Sequence, residues 1–204
     1  SRNSSSYFDF GVKGIVNVFD VETGALARQS HRQALPHGMC WSADGKNLYF
    51  TSFRDEALFQ PELEQMPGGT SYHRAPVDGP HAIGIFRFSP TGEAKEEFVV
   101  AGIHPIARPG TGSLFYHLEN EIWERQPDGS AKRFEFRDVP SHTIEISPTG
   151  SHAAIPVHKK TPFTSGSFLT ILSLGRPEQR LIVDTNSVYL IRWAANPDPV
   201  AQPQ

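Results

Sequence analysis

The chain has 204 residues, 17 of them Gly and 17 Pro, so one residue in six breaks helices, against about 12% in average usage. Phe, at 14, outnumbers Leu, and the composition therefore disfavours long helices and leans towards strands. With 38% hydrophobic and 20% charged residues the chain can bury an ordinary core, which excludes a disordered tail and a fibrous repeat. Nineteen basic against 22 acidic residues give a net charge of -3, so neither a nucleic-acid footprint nor an attraction to anionic membranes is expected. No stretch reaches the roughly 18 apolar residues of a membrane helix, and the single cysteine, Cys40, excludes an internal disulfide. Any targeting segment is expected to lie outside the chain, which leaves the compartment open.

In chain order, strands are predicted at 6–10, 14–20 and 25–29, with a turn at Asp20-Val-Glu-Thr-Gly24. Four later stretches superpose: His37 to Gly45, His104 to Gly112, His142 to Gly150 and Tyr189 to Pro197. Each reads as a short strand entering a tight turn, and in three of them the turn ends on a Gly able to take positive φ. After each of the first three turns come further strands: 47–52, 83–89 and 95–100; then 113–118, 121–126 and 131–136; then 152–157, 167–174 and 179–184. Four antiparallel strands per unit of about 40 residues is the blade of a β-propeller. The predicted fold is therefore all-β: one propeller domain over 1–204 with about four blades, either a closed small ring or part of a larger one. The Pro- and Gly-rich stretch 53–81 falls outside the repeat and reads as an inserted loop.

When the turns are aligned by their Ser, Pro or Ala, His37, His104, His142 and Tyr189 share one offset at the start of the innermost strands. In a propeller such positions converge on the mouth of the central channel. Three imidazoles there suit one divalent ion such as Zn, Mn or Fe, with a fourth position open. Without metal, one His could serve as general base while the others bind a carboxylate; capping of strand ends is the structural alternative. Glu145 and Arg192 share a second offset, as an ion pair on the channel wall or as ligand-binding groups. Cys40, between Met39 and Trp41, reads as an inert core thiol.

The run Leu35-Pro-His-Gly-Met-Cys-Trp-Ser-Ala-Asp-Gly-Lys-Asn-Leu-Tyr-Phe-Thr-Ser52 resembles the blade motif of the gluconolactonase-like propellers and of the seven-bladed lactonase family. In the gluconolactonase-like group the resemblance implies a metal ligand after the Pro. Here His37 and His104 stand at the two places and the first-blade Glu has no counterpart, a set less suited to calcium than to a softer ion. In the seven-bladed lactonases it implies a metal-free site in which a His of a His-Gly motif and an Arg of a Ser-Arg motif act on a carboxylate; His37 and Arg2 match these. Together these expectations describe a ring that binds or hydrolyses a small carboxylate or lactone through His37, His104, His142 and Arg2, with Tyr189, Glu145 and Arg192 on the ligand. The alternative is a non-enzymatic scaffold with a protein partner or self-association.

Overall fold

Small-residue turns cut the sequence into short apolar runs, and these runs pair with their neighbours as antiparallel strands. The structure, a computed structural model, describes residues 6–10, 14–35, 38–55, 63–65, 71–77, 82–91, 95–136, 139–140, 143–158, 167–185 and 193. It is all-β, with no α-helix among the described residues. The chain divides into two compact units, Ser1–Glu135 and Phe136–Gln204.

In the first unit, β1 (Ser6–Phe10) is followed by a hairpin of β2 (Gly14–Phe19) and β3 (Leu26–Ala34). Asp20 builds the hairpin turn: its carbonyl accepts from Gly24 N at 2.9 Å, and its carboxylate accepts from Thr23 N at 2.7 Å and Thr23 Oγ1 at 2.8 Å. These donors hold the Asp20 carboxyl below the usual range. Next come β4 (Met39–Trp41), β5 (Leu48–Phe53), β6 (Leu63–Gln65), β7 (Ser71–Val77), β8 (Ile83–Phe88) and β9 (Glu97–Ala101). Four of these form a sheet in the order β4-β5-β8-β9. β10 (Ile103–Ala107), β11 (Leu114–Leu118), β12 (Glu121–Arg125) and β13 (Ala131–Phe134) then form a second four-stranded meander.

The second unit repeats the pattern with β14 (Val139–Pro140), β15 (Glu145–Ile146), β16 (His152–His158), β17 (Ser167–Ser173) and β18 (Arg180–Thr185). Strands β15 to β18 pair consecutively, and β14 lies on the same edge of β16 as β15. Its core is Ile144, Ala153, Ile155, Val157, Leu172 and Leu174.

One expectation is corrected. Residues 6–10 pair with β7, Phe8 opposite Ala75, and the stretch read as an inserted loop supplies β6 and β7 to a sheet ordered β1-β7-β6. Prolines 61, 67 and 76 and Gly68-Gly69 dilute the strand-forming residues there, while pairing depends on backbone groups that composition does not display.

The β4-β5-β8-β9 sheet packs through both faces. Val16, Val18 and Ala34 of the hairpin lie on Leu48, Phe50, Phe86 and Phe88. The opposite face of that sheet presents Ile85 and Val100 to Leu114 and Tyr116 of the next. Two arginines of β3 seal the first seam, Arg32 over the Phe86 ring at 4.2 Å and Arg28 over Phe88 at 5.2 Å. The link from β9 to β10 passes through Gly102, at φ 140, where an added Cβ would lie 2.6 Å from the His117 carbonyl oxygen. Only glycine fits so close an approach.

Glu96 ties β3 to the start of β9. Its side chain is 4% exposed, and its carboxylate accepts from His31 N at 2.7 Å with His31 Nδ1 at 3.6 Å. Burial alone pushes the carboxyl up, but its own amide and those of His31 and Arg32, with the His31 charge, outweigh it and hold the group below the usual range. A depressed carboxyl contributes stability at neutral pH that is lost as pH falls through its folded value. The unfolding free energies of wild type and Glu96→Gln are therefore expected to converge as pH drops below the ordinary glutamate range. A difference constant down to acid pH contradicts this assignment.

Candidate functional site

The repeated turns are closed by hydrogen bonds that fix their register. Ser42 N donates to Asn47 O at 2.7 Å, and Ser147 N to His152 O at 2.9 Å. Inside each turn Gly45 N and Gly150 N return to the Ser carbonyl at 2.9 and 2.8 Å, and the Ser hydroxyl accepts from Asn47 N and His152 N. Both glycines sit near φ 70.

In the β10–β11 hairpin the same closing bond runs from Arg108 N to Ser113 O at 2.9 Å. Arg108, not Pro109, thus stands where Ser42 and Ser147 stand. The Gly110 and Gly112 pair, both at positive φ, lets the chain turn back one residue sooner after the last Gly. Further back the ladder carries a β-bulge: Ile103 faces His117 while Ile106 faces Phe115, so β10 has one residue more than β11 between these pairs, and His104 lies in that bulge. The shared offset of the three histidines therefore does not survive the backbone register.

The bulge accords with the backbone at His104. Gly38 has φ 83 and His104 φ 55, the latter one of two non-glycine residues with positive φ among those described. A Cβ on Gly38 would lie 3.5 Å from His104 Nδ1 and 3.6 Å from its Cα, so the starts of β4 and β10 are in van der Waals reach. Further along, the Cys40 thiol forms a hydrogen bond with the Ala107 backbone. Burial pushes that thiol up to about 12, which disfavours the reactive thiolate.

His104 is half-buried, and its ring meets that of His117 edge to face, centroids 6.0 Å apart and planes at 84°. His117, on β11, is 1% exposed. The alternation in Leu114-Phe-Tyr-His-Leu118 carried that signal, since Phe115 and His117 share one face. An imidazole on a left-handed backbone beside a second, buried imidazole can take or give a proton, or bind an anion.

Of the other candidates, Glu145 lies in β15, half-buried, and its carbonyl accepts from Trp193 Nε1 at 3.2 Å. The Trp193 ring is 6.4 Å from that of His152. Trp193 holds the place in its repeat that Trp41 and Ile146 hold in theirs. His37, His142, Arg2, Tyr189 and Arg192 lie outside the described residues. Among the described residues no three of His, Cys, Asp and Glu gather as a metal-binding group.

A second polar centre was not anticipated. Glu124 in β12 is 2% exposed, and its carboxylate accepts from Arg108 Nη1 at 2.8 Å and Ser113 Oγ at 2.7 Å. In Glu121-Ile-Trp-Glu-Arg125 a lone Glu reads as a solvent-facing residue, and only the turn register brings Arg108 and Ser113 to it.

No protein-family model matches the chain, and no curated protein matches it.

Proposed function

We propose that the four-stranded sheets are consecutive blades of a β-propeller and that the chain is a lactonase-like binding ring. It takes a small carboxylate or lactone at the ends of its inner strands, with His104 contacting the ligand. The observation that carries this reading is the φ of 55 at half-buried His104, beside Gly38 and edge to face with His117. A non-glycine residue held in the left-handed region costs of order 1 kcal/mol, and such strain concentrates at functional sites. The blade reading is supported by the consecutive pairing of β10 to β13 and of β15 to β18, and by the contact of β4 with β10 at Gly38 and Cys40.

Of the two chemistries the sequence allowed, we take the metal-free one, which the pair of His104, in the β10 bulge, and buried His117 can serve. His104 then acts as general base towards water attacking a lactone carbonyl, in the family role that the resemblance implied for His37. His37 and His142 are further candidate bases from the sequence, and Arg2 and Arg192 candidate cations for the carboxylate. Tyr189 and Glu145 orient the ligand.

His104→Gly separates strain from structure. Glycine takes φ 55 freely, so the variant is expected to be more stable than wild type by about 1 kcal/mol in urea denaturation, while lactone hydrolysis falls roughly 100-fold or more. Unchanged hydrolysis in His104→Gly, or a wild type inactive on γ- and δ-lactones, overturns the reading.

A further inference from the structure

β18 ends its sheet with apolar residues facing water on both sides. Leu181 and Val183 are 59% and 38% exposed on the face they share with Ile171 and Leu169 of β17, and Ile182 is 57% exposed on the other, opposite Thr170. Among the described residues β18 pairs with β17 alone, and its other edge is not part of a ladder. An apolar edge of this kind is a template for a further strand, and sheets commonly blunt it with charge. β13, the outer strand of the β10-β11-β12-β13 sheet, does so with Lys132 and Arg133 in succession. β18 instead runs three apolar residues together and keeps one charge on either side of them, as Arg180-Leu-Ile-Val-Asp184.

Those five residues are complementary to themselves in the antiparallel sense. When two copies pair about Ile182, Arg180 of each stands opposite Asp184 of the other, Leu181 opposite Val183, and Ile182 opposite Ile182. Residues opposite each other lie on the same face, so apolar residues of the two copies meet on both faces while opposite charges close both ends. Moving the centre by one residue destroys the match: about Leu181 it sets Arg180 against Ile182, and about Val183 it sets Asp184 against Ile182. A single register that matches both charge and apolar character points to a copy of this strand, not to a strand of unrelated sequence.

We infer that two copies of this chain associate by antiparallel pairing of their β18 strands about Ile182, which joins the second-unit sheets of the two copies into one across a two-fold axis. The inference rests on the second unit alone and holds whatever ligand the molecule takes.

So short a strand makes a small contact, and the dimer is therefore read as a function of concentration. Light scattering behind a sizing column is expected to rise from the 22.6 kDa of one chain towards twice that mass as wild type is taken up to about 100 μM, and hydrogen exchange over 180–184 is expected to slow in step. Ile182→Lys alters an exposed side chain and sets two like charges against each other at the axis, so it is expected to keep its circular dichroism spectrum and the single-chain mass. Arg180→Asp and Asp184→Arg each set like charges against each other at both ends, and each is expected to weaken the dimer about tenfold. An equimolar mixture of these two variants, or both changes in one chain, returns opposite charges to both ends and is expected to restore it. A wild type that stays monomeric overturns the inference, as does a dimer left intact by Ile182→Lys or a charge exchange that restores nothing. Slow exchange over 180–184 already in the dilute monomer assigns the edge to another segment of the same chain and overturns it as well, with no variant required to fold.

Discussion

Phe50→Ala is expected to lower the unfolding free energy by roughly 3–5 kcal/mol, read as a shift of the urea midpoint at unchanged slope. Phe50 is wholly buried, and three features place it at the upper end of the range for such truncations. Its ring meets Phe88 edge to face at 5.9 Å and Phe86 at 6.3 Å, so its removal takes aromatic contacts from two neighbours as well as its own burial. Those neighbours lie opposite it or one pair away on β8, and Phe86 and Phe88 are held over by Arg32 and Arg28 of the hairpin. The cavity is thus walled by two sheets whose strands cannot slide inwards without breaking ladder bonds, and a site that cannot collapse keeps its full cavity cost. Phe50→Leu is expected to lose about half as much. A loss below about 1 kcal/mol for the alanine variant would mean that the seam between the hairpin and the β4-β5-β8-β9 sheet is not a packed core.

The strands of the three large sheets were legible because their punctuation is chemical: a Ser or Arg at the closing bond, then Gly at positive φ. Predicted strands at 121–126 and 131–136 differ from β12 and β13 by a residue or two at their ends. What the letters hid was register. Ser42 and Ser147 invite alignment with Pro109 because all three precede a turn that ends on Gly, yet the chain closes on Arg108, and a bulge between Ile103 and Ile106 then takes His104 out of the offset it shares with His37 in the sequence. The partner of β1 was hidden for a different reason. β7 is non-local to it by more than 60 residues, and nothing in Ser71-Tyr-His-Arg-Ala-Pro-Val77 shows which backbone it will meet. Of the candidate site, the sequence identified His104 as a residue of interest, but its left-handed backbone and its contact with buried His117 belong to the folded chain alone.

Arg108→Ala is expected to be as damaging as the loss of Phe50, about 3–5 kcal/mol, by a different physical route. Arg108 is 17% exposed and Glu124 2%, so the carboxylate has little water to return to when the guanidinium is gone, and Ser113 Oγ at 2.7 Å is a single neutral donor. The cost is that of a stranded charge, not the worth of the pair, and the two are separable. Replacing both partners together, Arg108→Met with Glu124→Leu, removes the charge along with its counter-ion and leaves the Ser113 hydroxyl bonded to Thr111 Oγ1 at 2.9 Å. That double variant is expected to lie within about 1 kcal/mol of wild type in urea denaturation. Because Arg108 N is also the closing donor of the β10–β11 turn, a backbone role could in principle account for the single loss, but alanine keeps that amide and methionine keeps it too. Near-full recovery in the double variant therefore assigns the loss to the uncompensated carboxylate, whereas a double variant as unstable as Arg108→Ala assigns it to the packing of the long arginine stem against the turn that sets the register of His104.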